Sequence, residues 1–200
     1  MNAFADIDTG GSGSEGPWLN WGAQKEKFTL RTREDEVTFL GFSEGGVVLD
    51  IDNFKTGWCY IAGVAGTAPD WRMNKSISKF DPQPDDDFKK GFKVRCAIGG
   101  GKTASWDQSG AGAWNGMMAL TAKFASEQKP GTLPLIRMVG TKTTKFTKGS
   151  TVEPVLEIVK WVPRPDCLKE GFAAGFASGP ETKPEVKPAP PAPVDADAEF

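Results

Sequence analysis

The sequence predicts a mainly-β body, a small curled sheet or barrel of about five strands carrying one helix and extended hairpins. Three patterns carry that prediction. Phe92, Val94, Cys96 and Ile98 alternate with Lys93 and Arg95, the two-residue period of a strand with one face in a core and the other in water. Residues 133–163 hold two extended segments around a Lys/Thr-rich connection. In the second of them Val155, Val159 and Trp161 share one parity and Leu156, Ile158 and Val162 the other, as in a strand near the middle of a curled sheet. Met117, Leu120 and Phe124 keep helical spacing ahead of Gly131, which gives the helix.

In chain order, residues 1–16 are small, acidic and glycine-rich and read as a flexible start. Residues 17–179 form the single folded domain, and residues 180–200 a disordered Pro-rich linker with an acidic tip. The body opens on Trp18 and Trp21 and continues as one bent strand or two, with Phe28 and Leu30 inward and Arg31 and Arg33 outward. Those bases either form a basic outer face or pair with Glu26, Glu34, Asp35 and Glu36. Gly45-Gly46 reads as a turn before a strand that ends at Asp52-Asn53. Trp58 and Tyr60 then share a parity opposite to Cys59 and Ile61, so that facing the second pair inward leaves two adjacent rings outside. The connection from Thr67 to Asp87 is long enough to imply a functional or subunit role. Residues 99–116 read as a mobile glycine-rich loop holding Trp106 and Trp114, and residues 163–179 as a short helix or spacer with Phe172 and Phe176 one turn apart.

The net charge of −2 hides a partition. Residues 17–179 carry 22 bases against 18 acids, and both ends are acidic. Non-specific attraction of such a body to phosphate is modest and depends on where the charges cluster. The absence of a signal peptide or a bilayer-length apolar run leads us to expect a soluble, cytoplasmic protein of a bacterial cell or phage-infected host. The 3 cysteines are odd in number and widely spaced and histidine is absent, against both a disulfide framework and a zinc site.

Gly99 to Thr103 spells GGGKT after a strand, yet the full phosphate-loop pattern needs a glycine at Cys96 and a helix after Lys102. Asp50 and Asp52, with Asp85 to Asp87, offer carboxylates to Mg²⁺ for a nuclease, although acidic turns are far commoner than metal sites. The aromatic and basic residues point elsewhere. Trp58, Tyr60, Trp71, Trp106 and Trp114 sit beside bases or glycines, where rings accept nucleobases without demanding sequence. Arg31, Arg33, Lys89, Lys93, Arg95, Lys102, Lys142 and Lys145 are the candidate phosphate contacts. The hairpin with Lys142, Lys145, Phe146 and Lys148 reads as a basic finger or one wall of a groove, with Lys89 to Arg95 as the other.

The chain closes on VDADAEF, where Asp195, Asp197 and Glu199 run into a terminal Phe200 behind a proline-rich linker. This resembles the single-stranded DNA-binding proteins of bacteria and tailed phages, in which a small barrel precedes a disordered linker and an acidic, aromatic-ended tip. The resemblance covers the last half-dozen residues closely and the preceding architecture loosely. Glu199 stands where bacterial tips place proline, which favours the phage type. It implies an oligonucleotide-binding (OB) barrel that coats single-stranded DNA in replication, recombination or repair. Phe200 would then dock on replication or recombination proteins while Asp195, Asp197 and Glu199 compete with DNA. No catalysis, cofactor or metal is expected, and a homodimer is compatible with the sequence. Two alternatives from other classes are a structural or adaptor protein of a phage and, behind it, a Mg-dependent nuclease.

Overall fold

The computed structural model describes residues 16–63, 68–77, 79–147 and 149–169. The candidate tail residues Asp195, Asp197, Glu199 and Phe200 lie outside them, as do Lys148, Phe172 and Phe176. The strands are β1 Trp18–Gly22, β2 Lys27–Arg31, β3 Glu36–Thr38, β4 Val47–Leu49, β5 Lys55–Tyr60, β6 Asp70–Met73, β7 Lys89–Gly99, β8 Lys102–Ser109, β9 Thr132–Phe146 and β10 Gly149–Pro163. A one-turn helix, α1 (Gly41–Glu44), precedes β4, and the long helix α2 (Ala111–Glu127) precedes the last two strands as predicted. All ten strands belong to one sheet in the order β10-β9-β4-β7-β8-β1-β2-β3, with β5 also on β7 and β6 on β5.

The predicted barrel path is the run β10-β9-β4-β7-β8, and the other strands are additions to it. β7 is long enough to serve two neighbours: Lys89 to Lys93 pair with β5, Cys96 and Ala97 with β4. A 3₁₀ turn at Ile51–Asn53 breaks that neighbouring line into two strands. β1 runs parallel to β8 through Trp18 and Ser105, and Gln108 holds it there, its side chain accepting from Trp21 N and donating to Trp21 O at 2.8 Å each.

The inner face of the sheet is the core. Phe92, Val94 and Cys96 of β7 enter it with Ala104 and Trp106 of β8, Leu19 and Trp21 of β1, and Phe28 and Leu30 of β2. Ring contacts knit the strands together: Phe28 stacks on Phe42 at 4.0 Å, and Trp106 meets Phe92 edge-on at 5.0 Å. Met117, Leu120 and Phe124 of α2 close the core, as their spacing predicts. Gly112 and Gly116 let the helix sit on β10: a Cβ on either would lie 2.5 Å from the Val152 carbonyl oxygen or 2.7 Å from that of Pro154. The Trp21 indole donates to the Val152 carbonyl at 3.0 Å, tying β1 to β10 where no backbone ladder joins them among the described residues.

Two expectations are corrected. Residues 99–116 are no mobile loop. Gly99, Gly100 and Gly101, all at positive φ, make the tight β7–β8 turn, and β8 and the first turns of α2 follow. β10, expected near mid-sheet, is the terminal strand of the path. Its two-sided apolar pattern arises because a bulge between Ile158 and Lys160 shifts the parity and α2 covers it from the inside. The Lys/Thr-rich connection is itself ladder, paired from Thr141–Pro154 to Phe146–Gly149, in keeping with the β-propensity of threonine.

After β10 the chain folds back over β7 and β8 through a 3₁₀ turn at Asp166–Leu168. Arg164 clamps this return, donating to Asp50 at 2.8 Å and Asp52 at 2.7 Å, and Leu168 is buried.

Candidate nucleic-acid interface

The register fixes which side chains share the outer face, because residues paired across an antiparallel ladder project to the same side. One line runs Arg31, Trp18, Ser105, Arg95 across β2, β1, β8 and β7. The next carries Asp107, Lys93 and Lys55 across β8, β7 and β5. It continues toward Asn20 and Thr29, because the bond of Gln108 to Trp21 sets Asn20 beside Asp107. Beyond come Gly57 and Gly91, then Cys59 with Lys89 and Trp71. The core face is apolar and this face is polar, cationic and ringed, so the alternation seen in β7 extends over several strands.

Trp71 lies across Gly91. A Cβ at Gly91 would come 2.8 Å from its ring, so glycine is what allows the indole to lie down there. Lys93 Nζ stands 4.7 Å from the Trp71 ring and 3.2 Å from Asp107 Oδ2. Arg95 donates to the Cys167 carbonyl at 3.4 Å. Trp18 is half-buried, between Arg31 and Ser105. The sequence reading missed Trp18 as a site residue; its parity with the exposed Arg31 across a hairpin was the available signal.

The other predicted rings divide. Trp106 is fully enclosed in the core and its Nε1 donates to Gln108 at 2.9 Å, which removes it from a stacking role. Its neighbours Ala104 and Gln108 share the inward parity, a pattern obscured by the flanking glycines. Trp58, expected outside with Tyr60, is buried: it meets Phe80 edge-on at 5.4 Å and donates to the Asp81 carbonyl at 2.9 Å. Phe80 in turn meets Trp114 at 5.4 Å. Trp58 therefore has no free face for a base, and together with the half-buried Trp114 it pins the long connection to α2. Tyr60 is exposed and rests against Phe88 at 5.6 Å.

Among the predicted phosphate contacts, Arg31, Arg33, Lys89, Lys142 and Lys145 are exposed, and Lys93, Arg95 and Lys102 are half-buried. Lys89 Nζ donates to the Asp86 carbonyl at 3.0 Å, and Lys102 stands in the β7–β8 turn opposite Gly99. The β9–β10 hairpin is tied to the β1–β2 turn by Thr141 Oγ1, which donates to Glu26 at 2.9 Å. That turn, the end of β8 and the start of β7 lie at one end of the sheet, so the two predicted walls share an end and are separated by β1 and β8.

Burial pushes the Cys59 and Cys96 thiols up from their ordinary value, away from thiolate reactivity. Asp50 and Asp52, the carboxylates offered to Mg²⁺, grip the Arg164 guanidinium. No group of three or more metal-ligating side chains occurs among the described residues, and no helix there is long and apolar enough to cross a membrane. No protein family, curated protein or solved structure matches this chain.

Proposed function

We propose that this protein coats single-stranded DNA without strong sequence preference and catalyses no reaction. The observation that carries the reading is the outer sheet face, where Trp18 and Trp71 lie among Arg31, Lys93 and Arg95 on strands whose opposite face is core. An OB barrel takes oligonucleotides over the face of its second and third strands and between its first and last loops. Here those are β7 and β8, the connection spanning residues 50–88, and the β9–β10 turn. Rings supply sequence-tolerant stacking and cations track the backbone. The acidic tip ending in Phe200 would recruit replication or recombination proteins and compete for the face.

Anisotropy of a fluorescent oligothymidine at two salt concentrations tests this. Micromolar or tighter binding that weakens with salt is expected, and no binding at low salt overturns it. Trp71→Ala and Trp18→Ala should each weaken binding by about 1–3 kcal/mol, the usual worth of one stacked base. The adaptor reading draws on the exposed Val139, Val155 and Val159 of the last hairpin. It predicts instead that both tryptophan variants bind as the parent does.

A further inference from the structure

The open edge of the sheet carries a symmetry that the rest of the fold does not use. β10 is the terminal strand, and among the described residues no strand pairs with its open edge. Beyond Val152, whose carbonyl takes the Trp21 indole, residues 154–163 read PVLEIVKWVP. About a centre between Ile158 and Val159 this stretch is a palindrome of chemistry. Proline stands against proline, Val155 against Val162, Leu156 against Trp161, and Glu157 against Lys160. An edge this apolar is a template for another strand, and natural sheets blunt such edges with unmatched charge. Here the two charges are of opposite sign and match each other.

Parity decides whether the palindrome can pair with itself. When two identical strands run antiparallel about a twofold axis normal to the sheet, facing residues project to the same side, so in a straight strand they stand an even number of positions apart. Glu157 and Lys160 are three apart. The bulge at Val159 corrects this: Glu157 faces Arg137 and Lys160 faces Leu135 on β9, and those two residues, two positions apart, share a side. By the same ladder Leu156 and Trp161 share the inner side, where Leu156 is buried and Trp161 meets Phe124 at 6.5 Å. Glu157 and Lys160 are exposed, and neither has an ion-pair partner among the described residues. Pro154 and Pro163, which lack the N–H of a ladder, close the stretch at both ends.

We propose that two copies of this chain pair through β10, antiparallel over Val155 to Val162, with Glu157 of each copy facing the partner's Lys160. The pairing extends one sheet across both copies. It sets the exposed Val155 against the partner's Val162 and brings the exposed Val159 to the twofold axis. The edge lies on a different strand from Trp18 and Trp71, so the inference stands apart from the coating function.

Sedimentation velocity on the full chain, without DNA, tests this. At about 20 μM the parent should sediment as a dimer of twice the 21.5 kDa chain mass. Glu157→Lys and Lys160→Glu each place like charges opposite one another at both ends of the axis, and each should weaken self-association by about tenfold or more. An equimolar mixture of the two variants restores opposite charges at both places and should dimerise as the parent does. Loss of a merely structural side chain would give no such rescue. Glu157 also faces Arg137 in its own hairpin, so if that variant fails to fold by circular dichroism, Lys160→Glu against the parent carries the test. A parent that is monomeric at this concentration overturns the inference, as does a dimer that the variants leave unweakened or a mixture no tighter than its components. A parent that dimerises only once residues 170–200 are removed also overturns it, and gives the edge to the chain's own C-terminal segment.

Discussion

Gly116 offers the sharpest test of how the fold sets the interface. Replacing glycine by alanine inside a helix ordinarily stabilises by roughly 0.5–1 kcal/mol, because alanine has less backbone freedom to lose. Here the new methyl would lie 2.7 Å from the Pro154 carbonyl oxygen and 2.8 and 2.9 Å from two Pro154 ring carbons. Neither a strand carbonyl nor a proline ring can rotate away, so α2 must lift from β10, and overpacking of this kind costs about 1–3 kcal/mol. The opposed effects leave Gly116→Ala destabilised by about 1 kcal/mol, which for a domain of this size lowers Tm by about 2–4 °C. Ala122→Gly, on the exposed side of the same helix, is the control and should lose only the propensity difference. Thermal unfolding followed by far-UV circular dichroism reads both. A rise in Tm for Gly116→Ala would refute the reasoning and would detach the β9–β10 hairpin from the place given to it.

Two further outcomes follow from buried charge. Arg164→Met leaves Asp50, whose side chain has no exposed surface, with only the side-chain bond from Asn53 at 2.9 Å among the described residues. It should cost about 2–4 kcal/mol in urea unfolding, partly restored by adding Asp50→Asn; a loss below about 0.5 kcal/mol would mean the clamp carries no weight. Asp107 has its carboxyl pushed above the ordinary aspartate value by burial, against the opposing pull of Lys93. A raised folded-state value means that the proton is held more tightly when folded. The associated stability is present at low pH and is lost as pH rises from about 3.9 through the folded value. Asparagine does not titrate, so Asp107→Asn should gain on the parent as pH rises above about 4 in urea melts. A gain that shrinks with pH contradicts the burial of this group.

What the sequence disclosed was the periodic part of the fold. β7 was legible because its alternation is uninterrupted, and α2 because Met117, Leu120 and Phe124 hold helical spacing. β8 was hidden because its inward residues, Ala104, Trp106 and Gln108, include one small and one polar group between glycine runs. The place of β10 was hidden because a bulge reverses parity and a helix covers one side. At the site, parity correctly turned Lys93 and Arg95 outward. It could not show that Trp58 is taken up by Phe80, because Phe80 lies 22 positions away on a connection without periodicity. Trp71 becomes meaningful only once Gly91 is beneath it, a contact set by register across two ladders.

The same register changes what the basic stripe can do. Read along the chain, β7 offers Lys89, Lys93 and Arg95 as full charges. In the fold, Lys93 is paired with Asp107 and Arg95 is bonded to the Cys167 carbonyl. A phosphate approaching Lys93 meets a nearly neutral pair, so less of the attraction arises at the centre of the face than at its rim. The predicted cations that face solvent are Arg31, Arg33, Lys89, Lys142 and Lys145. At about 0.7 per neutralised phosphate on single strands, five contacts give a slope of about −3.5 for log affinity against log salt. All eight predicted contacts would give about −5 to −6. A slope near −3.5, reduced by about 0.7 in Lys142→Ala and unchanged in Lys93→Met, is the expected result of a titration over several salt concentrations. A slope near −5 that falls in Lys93→Met would show that the Lys93–Asp107 pair opens when the strand binds, and would place the electrostatic anchor at the centre of the face.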